Sequence, residues 1–177
     1  MSARNKFNLL STAAALSVCA IALTVAPANA LPGQNINTVL KWAKTRPQLS
    51  ALKYNSEAHG YEGRNGNLYF YVNATSQNGA VTKEGITVSD DPSIKFTTNN
   101  AKGMKLLQNI YNYEIANDFR NSRSVAKVGR DTFHRGQKFA YITAAVQNGT
   151  NLQIISLNNL QSEINNAKYC QTHQCDL

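Results

Sequence analysis

Two segments of the chain, 70 residues apart, share the pattern of an aromatic β-hairpin. Residues 66–79 read GNLYFYVNATSQNG and residues 136–149 read GQKFAYITAAVQNG, with six of 14 positions identical. Each segment is rich in β-branched and aromatic residues and ends in Gln-Asn-Gly, which is typical of a strand that runs into a tight turn. The chain is therefore expected to contain at least two antiparallel hairpins, and the match is also what an internal duplication would leave.

Helical periodicity surrounds these hairpins. Apolar residues at helical spacing predict helices over 37–45, 101–113 and 158–168, whereas 115–122 fits either an extension of the second helix or a new one. Further strands are predicted over 51–57, 81–88, 93–98, 124–128 and 151–157. The order of helix, strands, helix, strands and helix predicts an α+β fold, with antiparallel β hairpins and helices packed on one face.

The first 30 residues have the composition of a secretory signal peptide. Arg4 and Lys6 precede a stretch of small apolar residues, which closes with Pro27-Ala-Asn-Ala30. We expect cleavage after Ala30 and a secreted or periplasmic protein. A membrane anchor is the weaker interpretation because four hydroxyl residues interrupt the apolar run. No later segment is apolar enough to span a bilayer, so no integral membrane segment is expected after cleavage.

Cleavage would leave 147 residues, which we divide into a first α+β half, 31–100, and a second half, 101–177, with a C-terminal helix and a cysteine loop. Two interpretations of these halves stay open. In the first, the two halves are tandem helix–hairpin repeats that arose by duplication. In the second, their hairpins are similar only because few sequences form a hairpin.

Cysteine usage agrees with export. Cys19 falls within the predicted signal peptide, so only Cys170 and Cys175 remain after cleavage. An even number of cysteines in an exported chain predicts a disulfide between them. The alternative is a metal site formed with His173, but a structural zinc requires four ligands and these residues supply three.

The mature chain is basic. Without Arg4 and Lys6, the 18 basic residues become 16 against 10 acidic ones, a net charge of +6. Such an excess suits an anionic polysaccharide, a membrane surface, nucleic acid or an acidic protein. The densest run contains Arg120, Arg123, Lys127, Arg130, Arg135 and Lys138. A solvated face is the simpler interpretation of this run, and a ligand groove is the alternative.

The sequence contains no signature of a cofactor or of a known catalytic class. Gly60, Gly63 and Gly66 do not form a phosphate loop, because no strand and helix flank them as a dinucleotide site requires. No metal ligand set and no specific nucleic-acid module is recognisable. His59 and His134, flanked by Arg64 and Arg130, are the candidate residues for acid–base cleavage of an anionic polymer.

Alternation along the two hairpins sorts their side chains by face. If the hairpins are equivalent, Tyr69 and Tyr71 share one face with Phe139 and Tyr141, while the aliphatic residues between them face the helices. Aromatic residues on an open face are typical anchors for a partner. The alternative is that both faces are core.

The order of helices and hairpins resembles the exported β-lactamase-inhibitor proteins, which are tandem α+β repeats that present a concave sheet to a partner. The resemblance lies in the layout and in no shared motif, so it carries over no binding residue. Export, small size, the repeated aromatic hairpin and the missing catalytic set favour a non-enzymatic exported binding protein, whose partner is a protein or an anionic polymer. A small secreted hydrolase and a structural envelope protein are the alternative hypotheses.

Overall fold

A computed structural model describes residues 31–173 and Cys175. The predicted signal peptide, including Cys19 and the expected cleavage site, lies outside the described residues. The helices are α1 (Ile36–Lys44), α2 (Ala101–Ile110), α3 (Tyr113–Arg120) and α4 (Leu160–Thr172). The strands are β1 (Lys53–Asn55), β2 (Gly60–Asn65), β3 (Leu68–Ala74), β4 (Val81–Ser89), β5 (Arg123–Val128), β6 (Asp131–Arg135), β7 (Phe139–Val146) and β8 (Gly149–Ser156).

The strands form one antiparallel sheet in the order β1-β2-β3-β4-β8-β7-β6-β5. Each half of the chain supplies a four-stranded meander preceded by helix, and the two meanders join where β4 pairs with β8. The α+β class and the antiparallel hairpins are therefore confirmed. The hairpins belong to a single sheet, so the two halves share one framework.

Three helices cover one face of the sheet and enclose the larger core. Asparagine side chains at positions 35, 100 and 112 cap the first turns of α1, α2 and α3. In the core between them, the ring of Trp42 stacks on Tyr111 with centroids 5.7 Å apart, and Phe70 of β3 lies against both rings. This face is called the helical face below.

Helix α4 packs on the opposite face and encloses a second, smaller core. Its Leu160 and Ile164 are buried with Phe133, Ile142 and Ile155 from the sheet. The prediction that the helices lie on one face thus holds for α1–α3 and not for α4. The physical reason is that β7 and β8 carry apolar residues on both faces, so each face requires a cover.

The tandem-repeat interpretation is not confirmed. At the offset of 70 residues, Phe70 and Ala140 occupy matching positions in the sequence, but Phe70 packs in the core under α1–α3 and Ala140 packs in the core under α4. Because side chains alternate between faces, a displacement of one residue exchanges the two faces. The matched residues of the two hairpins therefore have different structural roles.

The tail of α4 carries the predicted disulfide. Cys170 and Cys175 are bonded, with their Cα atoms 5.2 Å apart, so both thiols are engaged. Within 31–173 and Cys175, no helix combines the length and hydropathy needed to cross a membrane.

Candidate binding face

Beside α4, the sheet has a half-face that none of the described helices covers. It is formed by the side chains of β1–β4 and β8 that point away from α1–α3, and we call it the open face. Its main side chains are Lys53, Asn55, Glu62, Arg64, Tyr69, Tyr71, Asn73, Lys83, Thr87, Asn151 and Gln153. None of these residues belongs to either apolar core. A polar surface with two aromatic rings therefore lies on the sheet, and α4 forms its side wall.

Two tyrosines lie near the centre of the open face. The rings of Tyr69 and Tyr71 are 5.9 Å apart, and both side chains are half-buried. The Tyr69 hydroxyl donates a hydrogen bond to the Glu62 carboxylate on the neighbouring strand. Burial, reinforced by that hydrogen bond and by the charge of Glu62, raises the pKa of Tyr69 to about 12. Tyr69 is thus a neutral phenol whose hydroxyl is held in place.

The outer part of the Tyr71 ring lies over the backbone of Gly85 on β4. A Cβ atom at position 85 would overlap the outer atoms of this ring, so the glycine is what lets the ring approach the sheet. Burial is the main cause that raises the pKa of Tyr71 above its ordinary value. The sequence signal for this arrangement is the glycine itself, within the otherwise regular strand Val81–Ser89.

The border with α4 is marked by an ion pair. Lys83 Nζ on β4 lies 2.9 Å from a carboxylate oxygen of Glu163 on α4, and both side chains are about a quarter exposed, at 25% and 26%. Beside this pair, a cleft of about 330 Å³ runs between α4 and the sheet. Lys83 is paired with Glu163, and Glu62 keeps its negative charge when it accepts from the neutral Tyr69 and lies opposite Lys53 in the sheet. The exposed Lys53 and Arg64 outnumber Glu62, so the open face has a small excess of positive charge.

The other two predicted binding residues lie on the helical face. Phe139 is half-buried against the larger core, and Tyr141 is fully buried within it. The Tyr141 hydroxyl donates to Asp118 Oδ2 on α3 at 2.7 Å. The structure thus brings Tyr69 and Tyr71 together and separates them from Phe139 and Tyr141, because the two hairpins alternate in opposite phase relative to the helices.

Asp118 is a residue that the sequence did not single out. Its carboxylate accepts backbone N–H groups from residues 137, 138 and 139 at 2.8–3.2 Å, in addition to the Tyr141 hydroxyl. A Cβ at Gly136 would overlap the carboxylate, so the turn before β7 is built around it. Nothing in the local sequence marks this role, because Asp118 and the turn that it binds, residues 137–139, lie about 20 residues apart in the chain.

The structure does not bring the candidate catalytic residues together. His59 is exposed in the turn between β1 and β2, whereas His134 on β6 is half-buried and packs against Phe119. Five strand spacings separate β2 from β6, a distance of about 24 Å. Burial lowers the pKa of His134, and its Nε2 lies 3.2 Å from the hydroxyl of Thr143.

The flanking arginines are equally far apart. Arg64 lies on the open face and donates from Nε to the Gly66 carbonyl at 3.2 Å, whereas Arg130 lies in the turn that joins β5 to β6. No pair of these four residues shares a hydrogen bond among the residues that the structure describes. The geometry therefore gives the hydrolase hypothesis no specific support.

The core under α1–α3 contains a carboxyl group without a partner. Glu84 on β4 is fully buried, and neither of its oxygens has a hydrogen-bond partner within the described part of the chain. Burial raises its pKa well above the ordinary value, and the nearby Tyr111 hydroxyl offsets part of this shift although it forms no direct hydrogen bond. Burial thus favours the neutral form of Glu84 over the charged one.

Replacing Glu84 with methionine is expected to raise the free energy of unfolding at about pH 5 by about 1–3 kcal/mol, because a buried polar group without a partner costs about that much. In the unfolded state, Glu84 loses its proton near its ordinary pKa of 4.5, whereas burial raises its pKa in the folded state. Between these two pKa values the unfolded state gains from releasing the proton, so the stability of the wild-type protein falls as the pH rises through this range. Urea unfolding of both proteins at about pH 5 and about pH 8 measures the effect. The advantage of the variant should be larger at the higher pH, and an equal advantage at both would contradict the assignment.

Comparison with known proteins found no matching family model, no matching characterised protein and no matching solved structure.

Proposed function

We propose that this chain is an exported, non-enzymatic binding protein that receives a partner protein on its open face. The observation that carries the proposal is the pair Tyr69 and Tyr71, which lie outside both apolar cores on the part of the sheet that none of the described helices covers. Tyrosine and arginine are enriched at the energetic centres of protein interfaces. The export signal and the disulfide between Cys170 and Cys175 are consistent with an oxidising compartment.

The tyrosines are arranged in advance of binding. Tyr69 is fixed by its hydrogen bond to Glu62, and Tyr71 is fixed by its contact with Gly85. On a neighbouring pair of strands, the Asn151 amide donates to the Thr87 hydroxyl at 2.8 Å. A surface that is ordered before contact loses less side-chain entropy when a partner binds. This organisation favours a role in recognition over a role as a solvated surface.

The size and charge of the open face indicate the kind of partner. Five strands at about 4.8 Å spacing and about 20 Å of strand length give a surface of roughly 24 Å by 20 Å, bounded by α4. Such a surface accommodates a protruding loop or one helix of a partner. The exposed Lys53 and Arg64 favour an acidic partner segment, with a rate of association that falls as salt concentration rises.

A photo-crosslinking scan in the source organism tests the proposal. A photoreactive side chain is introduced at Asn73 or Thr87 on the open face, and at Gln108 or Tyr113 on exposed helical positions as matched controls. We expect one adduct of defined mass from both open-face positions and none from the controls. Adducts from the controls alone, or no adduct from any position, would contradict the proposal.

A further inference from the structure

A second concave surface lies on the helical face at the other end of the sheet, beyond the cover of α3. It has a volume of about 460 Å³, and we call it the basic groove. The groove is lined by the segment 95–97, by Lys127, Arg130 and Thr132 around the β5–β6 turn, and by the end of β7 and the start of β8, including Thr143 and Thr150. It shares no residue with the open face, so its role is independent of the proposed function.

The basic groove carries positive charge without a balancing acid. Lys95, Lys127 and Arg130 are exposed, and no aspartate or glutamate is among the residues that line the groove. Within 31–173 and Cys175, none of the three cations forms an ion pair within 4.0 Å. Arg130 also lines the cleft beside α4 together with Asp131, where burial raises the pKa of Asp131 and the charge of Arg130 opposes that shift. The positive charge without a nearby acid therefore lies mainly on Lys95 and Lys127. A cleft lined by one sign of charge concentrates ligands of the opposite sign.

Hydroxyl groups complete the surface of the groove. Thr150 Oγ1 accepts the backbone N–H of Phe96 at 3.3 Å, which fixes the segment 95–97 against the sheet. Thr132 and Thr143 face each other across β6 and β7 on the helical face. The only aromatic residue that lines the groove, Phe96, is 2% exposed, so no ring is presented to a ligand.

We infer that the basic groove binds an anionic polysaccharide through its carboxylate or sulfate groups. The cations supply charge-assisted hydrogen bonds, and the planar guanidinium of Arg130 can form two parallel ones to a single oxyanion. The hydroxyls of Thr97, which is exposed, and Thr132, which is half-buried, can bind the sugar hydroxyls between the charged groups, whereas Thr143 and Thr150 are buried and already paired. A single-stranded nucleic acid is disfavoured because its recognition depends on bases that stack on exposed aromatic rings.

Fluorescence anisotropy with two oligosaccharide probes of equal length, one sulfated and one containing only uronate carboxylates, tests this inference. The double variant K127A/R130A is compared with K41A/K44A, which removes the same charge from the exposed side of α1. We expect the groove variant to weaken binding of at least one probe by about 10-fold or more, and the control to change it by less than about 2-fold. The probe that binds more tightly identifies the acid group.

A third variant distinguishes binding in the groove from attraction by net charge. T132V removes a groove hydroxyl at constant charge, and a loss of about 3-fold is expected if the hydroxyl contacts the ligand. Equal losses from the two double variants would overturn the inference, because they would show attraction by net charge only. No binding of either probe, or tighter binding of an oligonucleotide of equal charge, would overturn it as well. Circular dichroism confirms that each variant is folded.

Discussion

Replacing Asp118 with alanine is expected to lower the free energy of unfolding by about 3–5 kcal/mol, the largest loss of stability that we expect from one substitution. The carboxylate accepts three backbone N–H groups at the turn before β7 and the buried hydroxyl of Tyr141. Alanine would remove the shared acceptor of all four donors, of which the Tyr141 hydroxyl belongs to a fully buried residue. The turn would also lose its link to α3.

Thermal and urea unfolding measure this loss. For a chain of this size, the expected destabilisation corresponds to a fall in Tm of roughly 10 °C. Tyr141→Phe is the matched control, because it removes one of the four donors and should cost about 1.5–3 kcal/mol. A loss below about 1 kcal/mol for Asp118→Ala would show that the turn finds other hydrogen-bond acceptors, and the role assigned to Asp118 would be wrong.

The double substitution of Tyr69 and Tyr71 by alanine is expected to weaken capture of the partner by about 100-fold or more, because residues at the centre of an interface each contribute about 2 kcal/mol. Neither ring belongs to the core clusters, so cooperative unfolding should be retained. Quantitative affinity capture from an envelope extract of the source organism measures the effect. Tyr113→Ala is the control, because Tyr113 is 64% exposed on α3 and far from the open face.

Gly85→Val tests the same surface while both tyrosines are retained. The new side chain would occupy the space of the Tyr71 ring and push it away from the sheet, at a cost of about 1–3 kcal/mol in stability. Capture should fall by about 10-fold or more if the position of the ring matters. If Gly85→Val captures the partner as well as the wild type does, while the double tyrosine variant does not, then binding requires the two rings but not the position of Tyr71 against Gly85.

The parts of the fold that the sequence predicted are those determined by local periodicity. Helix α1, the strands β3, β4, β7 and β8, and the helix α4 lie close to their predicted ranges. The undecided stretch 115–122 is largely a separate helix, since α2 ends at Ile110 and Asn112 caps α3. Repeated apolar spacing and asparagine caps are local signals, so one sequence is sufficient to find them.

Two strands were missed for a common reason. β2 (Gly60–Asn65) contains two glycines and four polar or aromatic residues, and β6 (Asp131–Arg135) is short and largely polar. Both are held in the sheet by neighbours on either side rather than by their own propensity. The predicted strand over 93–98 is irregular instead, because it lies outside the sheet as the approach to α2.

Half of the candidate site could be predicted. Alternation correctly grouped Tyr69 with Tyr71, because both lie on one strand. Whether a second strand faces the same way depends on its register and on which helix covers it, and these are long-range properties. Tyr141 is therefore buried although its position in the hairpin pattern matches Tyr71, and Glu84 and Asp118 have no local signature at all.

The most direct test of the account is hydroxyl-radical footprinting of the purified protein, alone and bound to the partner that crosslinking identifies. We predict that oxidation of Tyr69 and Tyr71 falls by several-fold in the complex, whereas the exposed Tyr113 and Tyr169 on the helices remain as reactive as in the free protein. Unchanged oxidation of Tyr69 and Tyr71, with protection at Tyr113 or Tyr169, would show that the partner binds elsewhere and would contradict the proposed role of the open face.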